Sequence, residues 1–458
     1  MYIQQLYTNC LAEAAYFIES NGEAAIIDPI RETEPYLSLA KERGVKIKYI
    51  FETHFHADFV SGHIDLSKAT GAPIIYGPGA STKYDILNAE DNQEFILGDV
   101  TIKVLHTPGH TLESICLLLL DKDSNPHCVF TGDTLFVGDV GRPDLTGASS
   151  TLTSKDLAGY LFDSLQTKIA ILPKETIVYP GHGAGSSCGK NIGKETFTNI
   201  GAQLESNYAL RAKSKDEFIQ LVLDGLSAPP SYFFADAGIN KNGYKSILQI
   251  IDNDSRVLTS NEALERIKDG AIVIDTRTAD EYELFSIKGS INIGLDGQFA
   301  IWAATLLPLD TSIVLVVTPG KTSEAVTRLA RVGFDNVQGC IDTITSDFDI
   351  QSVQSISPEE FKQYADNGAE VIDVRNNTEQ SSGIIKDAHL LPLATLEEGY
   401  HSLDKKATYL VHCAGGYRSM IACSLLRRKG FENVVNVKGG MSKIKFVEGV
   451  NLVIPELV

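Results

Sequence analysis

The sequence has little positive charge and no long apolar run. Its 458 residues carry 40 Lys and Arg against 59 Asp and Glu, which gives a formal net charge of -19. Because affinity for a phosphate backbone comes from Lys and Arg, this deficit argues against nucleic acid as a partner. No stretch is long and apolar enough to cross a bilayer, so we expect no membrane association.

The sequence also shows no sign of export. Residues 1–9 contain no basic segment followed by an apolar core, which a secretory signal requires. The seven cysteines are odd in number and lack a disulfide-like spacing, a pattern typical of a reducing compartment in which single thiols stay reactive. We therefore expect a cytoplasmic protein.

The composition is that of a globular protein with several domains. Hydrophobic residues make up 43% and charged residues 22% of the chain, and its length suits two or three domains. Apolar runs on both sides of Asn21-Gly22 predict a hairpin. Apolar residues at helical spacing predict helices over 33–43, around 63–70 and over 195–226.

The densest group of metal-binding side chains is Thr-His-Phe-His-Ala-Asp at 53–58, directly after an apolar, strand-like segment. His54 and His56 face the same side of an extended chain, and a turn can bring Asp58 toward them. Imidazole and carboxylate groups at a strand end suit a metal ion. The alternative is that these are three polar residues in a solvated loop.

Three later segments have the same character and make the solvated loop unconvincing. Each places a His or Asp beside a glycine, where the backbone can turn sharply after an apolar strand. They are Thr-Pro-Gly-His-Thr at 107–111, Thr-Gly-Asp-Thr at 131–134 and Tyr-Pro-Gly-His-Gly at 179–183. In this order the four motifs resemble the metallo-β-lactamase superfamily over residues 1–235. The resemblance implies an αββα sandwich, in which two sheets pack face to face between helices and hold metal at one edge.

An arginine lies in a turn-rich segment near the predicted metal edge. Arg142 follows the third motif in the loop 137–144. A guanidinium can clamp a substrate carboxylate with two parallel hydrogen bonds. A structural pair with Asp139 or Asp144 is the alternative.

The last two hundred residues contain two copies of one pattern. Ile-Asp-Thr-Arg at 274–277 recurs as Ile-Asp-Val-Arg at 372–375. Short apolar strands alternate with helices in both copies, which predicts two α/β domains with parallel sheets. The predicted divisions are a first domain at 1–235, a linker at 236–253, and the two copies at 254–350 and 351–458.

The second copy carries a reactive-cysteine loop, Cys-Ala-Gly-Gly-Tyr-Arg at 413–418, between a strand and a helix. Backbone N–H groups and the helix amino terminus favour a thiolate or a charged persulfide at Cys413, whereas the alternative is an inert core thiol. The loop resembles that of the rhodanese sulfurtransferases, and related cysteine phosphatases have a loop one residue longer. The resemblance implies catalytic roles for Cys413 and Arg418.

The first copy lacks this loop. Its matching segment, 315–323, has Val316 or Val317 in place of the cysteine and no arginine at its end, so this copy cannot carry sulfur. Its remaining charged residues are expected to form a structural, partly buried cluster. They are Asp275, Arg277 and Glu281.

The order of the domains resembles that of persulfide dioxygenase/rhodanese fusion proteins of sulfide detoxification. The resemblance implies oxidation of a thiol persulfide, such as glutathione persulfide, by O2 to sulfite, and thiosulfate formation at the rhodanese cysteine. It implies one Fe(II) per chain, and it leaves homo-oligomer formation open. The implied ligands are His54, His110 and Asp133, with His56 and Asp58 orienting ligands and substrate and with His182 bonding a water.

One position departs from the wider superfamily. Dinuclear members, such as glyoxalase II hydrolases, generally have a second histidine directly after the aspartate, and this chain has Phe59 there. A second metal would lose a ligand, which supports a mononuclear site. The main alternative is a zinc-dependent, glyoxalase II-like thioester hydrolase fused to a sulfurtransferase, with His56 as a zinc ligand. A third is a redox or sulfur-carrier module whose first domain only docks partners.

A cysteine beyond the fourth motif is a further candidate. Cys188 lies between Gly185 and Gly189, where a flexible loop can bring a thiol near the metal. One interpretation is that Cys188 accepts or relays a persulfide sulfur. The alternative is that it is an ordinary loop cysteine.

Overall fold

The computed structural model describes residues 1–145 and 151–455. Residues 146–150 of the predicted first domain and 456–458 of the predicted last domain lie outside the described residues. The chain divides into two compact units, residues 1–248 with 330–333, and residues 249–329 with 334–458. None of the described helices is long and apolar enough to cross a membrane.

Two six-stranded sheets form the centre of the first unit. In spatial order, the first sheet contains Tyr2–Thr8, Glu13–Ser20, Glu23–Ile27, Lys46–Phe51, Ile74–Tyr76 and Leu87–Asn88. The second contains Thr198–Asn199, Ile177–Pro180, Pro126–Gly132, Ile115–Leu120, Val100–His106 and Glu94–Leu97. Buried apolar side chains of both sheets, such as Phe51 and Phe130, pack together, and this burial stabilises the face-to-face arrangement. The hairpin predicted at Asn21-Gly22 is confirmed.

Helices cover the sheets and complete the predicted αββα sandwich. They are Glu34–Arg43, His63–Thr70, Ser154–Ser164 with a π-helical extension at Leu165–Ile169, Ile200–Ser206, Lys215–Leu223 and Phe233–Asn242. Leu161 and Phe218 pack with Val129 of the second sheet in a separate buried cluster. The helices predicted over 33–43 and around 63–70 are confirmed.

The helical stretch predicted over 195–226 is wrong as one element. The helix Ile200–Ser206 ends at Asn207, whose backbone is extended and whose buried side chain donates to the carbonyl oxygen of Asp139 at 3.0 Å. A new helix begins after Ser214, whose side chain accepts from the backbone N–H of Glu217. Hydrogen bonds to distant backbone therefore interrupt a segment whose composition favours a helix.

The linker predicted at 236–253 is folded. It contains most of the helix Phe233–Asn242 and of the helix Ile247–Asp254. Asp236 and Asn240 are fully buried. Burial of polar side chains is costly unless they contact polar partners, and a free tether would offer no such partners. The helix Phe233–Asn242 is thus an integral part of the first unit and not a linker.

The second unit contains two parallel-sheet modules, as predicted. The first sheet has, in spatial order, Ile291–Asn292, Ile272–Asp275, Ile313–Val316 and Val337–Ile341. The second has Gln354–Ile356, Asn433–Val437, Thr408–His412, Glu370–Asp373 and His389–Leu390. Two short antiparallel pairs accompany them, Ser286–Ile287 with Ile350–Gln351 and Ile384–Ile385 with Leu452–Val453.

Short helices connect these strands. In the first module they are Ser260–Lys268, Ala279–Leu284, Phe299–Leu306 and Thr322–Ala330. In the second they are Pro358–Asp366, Asn377–Ser381, Leu396–Gly399, Tyr417–Arg428 and Met441–Ile444, with 3-10 turns at Leu393–Thr395 and Tyr400–Ser402. Each module has its own buried apolar cluster, which agrees with the two-copy interpretation of the sequence.

The repeated Asp-x-Arg signature makes the same ion pair in both modules. Arg277 lies 2.6 Å from Asp275, and Arg375 lies 2.6 Å from Asp373. Glu281, predicted to join the charged cluster of the first copy, instead forms a capping box with Thr278 at the amino terminus of the helix Ala279–Leu284. The signature is therefore a structural pair next to a capping residue.

Candidate metal centre and sulfur-transfer site

Three buried side chains direct their polar atoms to a common point at the strand ends of the first unit. Nε2 of His110 lies 3.4 Å, and Nε2 of His54 lies 3.8 Å, from Oδ2 of Asp133. These three atoms have no hydrogen-bond partner among the described residues. Buried polar atoms are costly when unpaired, and two imidazole nitrogens with one carboxylate oxygen form a donor set for iron or zinc. The residues therefore fit a metal ion, and they are the three predicted ligands.

Asp28 and Thr53 orient the first of these histidines. The Thr53 hydroxyl donates to Asp28 at 2.8 Å, so it accepts from Nδ1 of His54, which lies 2.9 Å away. This leaves the Nε2 lone pair free for a metal. Burial and the neighbouring His56 lower the pKa of His54 well below its ordinary value, which keeps the imidazole neutral. Asp28 has a φ of 50°, a conformation that non-glycine residues adopt mainly where their surroundings impose it.

This relay predicts that Thr53→Val weakens metal binding. Loss of the hydroxyl removes the partner of Nδ1 of His54 and one of the hydrogen bonds to Asp28, and losses of this kind typically reduce metal affinity about 10- to 100-fold. Thr53→Ser, which keeps the hydroxyl, should retain the affinity of the natural protein. Competition with a chelator measures the metal affinity of both variants. Equal affinities of Thr53→Val and Thr53→Ser would show that the relay has no role in metal binding.

A backbone carbonyl orients the second histidine. Nδ1 of His110 lies 2.8 Å from the carbonyl oxygen of Arg142, and this bond leaves its Nε2 for the metal. The Arg142 guanidinium binds the Asp144 carboxylate at 2.7 and 2.8 Å and donates to the carbonyls of Ser187 and Ser227. Arg142 thus forms the predicted structural pair with Asp144, and the interpretation as a substrate clamp is wrong because its donors are already engaged.

His56 belongs to a different buried group. Its Nε2 lies 3.1 Å from Asp28 and 3.4 Å from Glu52, and its ring packs on Phe59 with a centroid distance of 4.4 Å. Burial alone lowers an imidazole pKa, but Asp28 and Glu52 raise the pKa of His56 well above its ordinary value. His56 is therefore held beside the metal ligands without joining them. Neither Asp28 nor Glu52 was predicted from the sequence, although each directly follows an apolar strand, as the predicted motifs do.

His182 links two aspartates. Its Nδ1 lies 2.8 Å from Asp133 and its Nε2 lies 2.8 Å from Asp58. Burial opposes the imidazolium, but the two carboxylates raise the pKa of His182 well above its ordinary value. Both ring nitrogens therefore donate to carboxylates, so the predicted bond from His182 to a water is replaced by these two contacts.

Cys188 lies at the same edge and is buried. It forms, with Asp58 and His182, a second group of side chains whose geometry could hold a metal. Its backbone N–H donates to Ser186 at 3.1 Å. Burial and the charges of Asp58 and Asp133 raise the pKa of the Cys188 thiol well above its ordinary value. The cysteine is thus close to the predicted ligands, as the first of the two interpretations of Cys188 requires, but it is buried and not exposed on a loop.

Asn240 holds the turn that carries the metal motif. Its amide donates to the carbonyl oxygens of His56 and Phe59 at 2.8 Å and accepts from the backbone N–H of Ser61 at 2.9 Å. Asn240 could not be predicted from the sequence because a single asparagine in a predicted linker has no spacing signal.

A cavity of about 290 Å³ adjoins His110, one of the three predicted metal ligands. Its wall includes His110, the aromatic rings of Phe55 and Phe233, and the charged side chains of Glu113 and Lys241. The described part of this wall is mainly apolar, which suits a site that keeps water from its reactants.

The predicted sulfur-transfer loop lies between the strand Thr408–His412 and the helix Tyr417–Arg428. Sγ of the buried Cys413 accepts from the backbone N–H of Gly416 at 3.0 Å. The Arg418 guanidinium, for which the resemblance implies a catalytic role, makes two hydrogen bonds of 2.6 and 2.7 Å to Glu379. Arg418 is therefore held in place at the loop end by a bidentate pair.

The sheet register decides which valine replaces the cysteine in the first module. Asp275 pairs with Val316 in the way that Asp373 pairs with His412. The next residue, Val317, therefore occupies the position equivalent to Cys413. Its buried, apolar side chain has no group that could carry sulfur.

Comparison with known proteins agrees with this two-part architecture. Residues 8–182 match the model of the metallo-beta-lactamase superfamily, and residues 259–339 and 357–446 match the rhodanese-like domain. A solved metallo-beta-lactamase from Staphylococcus aureus is 32% identical, covers 74% of this chain and 98% of its own, and superposes with a TM-score of 0.65. The chain belongs to the metallo-β-lactamase superfamily. In this member, a metal-binding enzyme domain precedes the rhodanese-like domains.

Curated relatives of this metallo-β-lactamase superfamily member match part of its chain. A probable hydroxyacylglutathione hydrolase of Schizosaccharomyces pombe is 34% identical over 36% of this chain and 60% of that protein. The hydroxyacylglutathione hydrolase of Rhizobium etli is 37% identical over 36% of this chain and 58% of that protein. This chain thus spans about three fifths of the length of these relatives.

Proposed function

We propose that the protein is an Fe(II)-dependent persulfide dioxygenase with a thiosulfate-forming rhodanese activity, which acts in cytoplasmic sulfide and persulfide detoxification. The observation that carries the proposal is the set of His54, His110 and Asp133, from which His56 is held apart by two carboxylates. Two histidines and one carboxylate are typical of non-heme Fe(II) oxygenases, where the bound iron supplies the open positions needed to activate O2.

The protein's own residues would position the reactants. Thr53 and the carbonyl of Arg142 present the ligand nitrogens, and the wall with Phe55 and Phe233 shields the persulfide sulfur from water. Lys241 on the same wall suits an anionic group of the carrier thiol. The balanced reaction is R–S–SH + O2 + H2O to R–SH + sulfite + 2 H⁺.

The second step takes place at Cys413. Its thiolate attacks the terminal sulfur of another R–S–SH, the S–S bond of the donor breaks, and R–S⁻ leaves and takes a proton. Sulfite then attacks the terminal sulfur of the Cys413 persulfide, which releases thiosulfate and the free thiolate. The N–H of Gly416 would stabilise the anionic sulfur in this exchange.

A zinc-dependent thioester hydrolase is the second candidate, and the names of the curated relatives favour it. Such a hydrolase would use a second metal near Asp58 and His182. Phe59, fully buried, stands where a further histidine would bind that metal, and His182 is already engaged by two carboxylates. These contacts favour the mononuclear oxygenase.

Metal analysis combined with oxygen uptake decides between the two candidates. The purified protein should contain close to one iron per chain and consume O2 when glutathione persulfide is added. The competing result is two zinc ions per chain with hydrolysis of a glutathione thioester and no oxygen uptake. That result would show that the dioxygenase proposal is wrong and that the protein is a thioester hydrolase.

We further expect Cys188 to accept persulfide sulfur, because it lies at the edge formed by Asp58 and His182. Mass spectrometry after glutathione persulfide treatment should find one added sulfur on Cys188. Cys128, buried in the core between the two sheets, serves as the internal control and should stay unmodified. An unmodified Cys188 together with normal turnover of Cys188→Ser would make it an ordinary buried cysteine.

A further inference from the structure

A cavity of about 600 Å³ lies beside Cys413, and both modules of the second unit line it. The module with the cysteine contributes Cys413 and Arg418. The cysteine-free module contributes Gly297, Gln298 and Trp302. Because that module cannot carry sulfur itself, its presence in this wall requires another explanation.

The contributing loop of the cysteine-free module is firmly seated. The hydroxyl of Tyr417, next to Arg418, donates to the carbonyl oxygen of Gly294 at 2.7 Å. A Cβ atom on Gly297 would come within 2.4 Å of the Tyr417 ring, so only glycine allows this approach. Arg328 donates to the carbonyl oxygen of Gly297 at 2.7 Å from the other side. The loop therefore has a defined position at the mouth of the Cys413 site.

The size of the cavity exceeds what sulfur exchange alone requires. Sulfite and the terminal sulfur of a persulfide need little more than the backbone cradle at Cys413, whereas cavities of roughly 300 to 1,000 Å³ hold small organic molecules. A volume of about 600 Å³ lies within that range. The space therefore suits the organic carrier of a persulfide.

The chemistry of the wall indicates which carriers fit. The charge of Arg418 is balanced by Glu379. Trp302 is half-buried and offers an aromatic face, and Gln298 and Asn376 offer amide groups. Such a wall suits a thiol that carries amide bonds, since amides pair with amides and pack on an aromatic face.

We propose that the cysteine-free module binds the amide-bearing carrier of the thiol persulfide that loads Cys413, through Trp302 and Gln298. This inference rests on the proposed sulfur transfer at Cys413. The carrier stays bound while the Cys413 thiolate takes the terminal sulfur, and it leaves as R–S⁻ after the S–S bond breaks. Trp302 and Gln298 do not touch the transferred sulfur and act by holding the donor.

Trp302 makes direct measurement of binding possible because it is the only tryptophan of the chain. Its fluorescence in the full-length Cys413→Ser protein should change saturably when glutathione or coenzyme A, two amide-bearing thiols, is added. Sulfite at the same concentrations should give no comparable change. No response to either thiol would overturn the inference.

Kinetics of the loading step provide an independent test. Trp302→Ala should raise KM for glutathione persulfide in sulfur transfer roughly 3- to 10-fold, the loss expected for an aromatic contact, with kcat little changed. Trp302→Phe should restore most of the affinity. Phe446→Ala removes an aromatic side chain of the same unit that is 78% exposed and should leave KM unchanged.

The outcomes separate this inference from the proposed function. An unchanged KM in Trp302→Ala, while Cys413→Ser abolishes transfer, would overturn only the role of the cysteine-free module. If Cys413→Ser still transfers sulfur, the sulfurtransferase proposal itself fails. Oxygen uptake by the first unit should be the same in all the Trp302 variants.

Discussion

Alanine at His54, His110 or Asp133 is expected to empty the metal site and abolish oxygen uptake together. A three-ligand site has no spare donor, and the nearby His56 cannot replace a lost ligand because Asp28 and Glu52 hold it. Metal analysis of each purified variant, with oxygen uptake on glutathione persulfide, measures both losses. We expect oxygen uptake to fall to the rate of the uncatalysed reaction.

His56→Ala is the matched control for these variants. It removes a buried imidazole from the same turn but leaves the three ligands in place, so metal should be retained with an affinity roughly 10- to 100-fold lower. Circular dichroism of all four variants shows whether the fold is kept. If His56→Ala loses metal as completely as His54→Ala, then His56 is a ligand and the three-ligand assignment is wrong.

Cys413→Ser should change the product from thiosulfate to sulfite. The first unit contains every predicted metal ligand and none of the Cys413 loop, so oxygen uptake should stay nearly unchanged. A serine hydroxyl cannot form a persulfide, so sulfite formed in the first step has no enzyme-bound persulfide sulfur to attack and accumulates. Quantification of sulfite and thiosulfate by chromatography, with the spontaneous reaction subtracted, measures this shift.

Val317→Ile provides the control for the product shift. Val317 occupies the position of Cys413 in the other module, and an isoleucine keeps its apolar character, so neither product should change. Thiosulfate release by Cys413→Ser at the rate of the natural protein would contradict a catalytic role for the second module. Its function would then have to be sought in docking.

The sequence alone determined the architecture and the centre of each site. The motifs that contain His54, His110 and Asp133 follow apolar strands of both sheets, and their resemblance to the metallo-β-lactamase superfamily implied that the three side chains meet at one site. The Cys413 loop could equally be predicted because the strand, the glycine-rich loop and the helix are contiguous in the sequence. Ends of individual elements were less certain, and the helical stretch over 195–226 was broken by the distant contacts of Asn207.

Only the tertiary structure decided which groups support these centres. Glu52 and Asp28 hold His56 away from the ligands, and Asn240 fixes the metal turn from a helix predicted to be a linker. Trp302 reaches the Cys413 cavity from the other module. Such contacts join residues far apart in the sequence, so no periodicity or spacing encodes them. They arise when packing of the apolar core brings separate segments together and buried polar groups must then find partners.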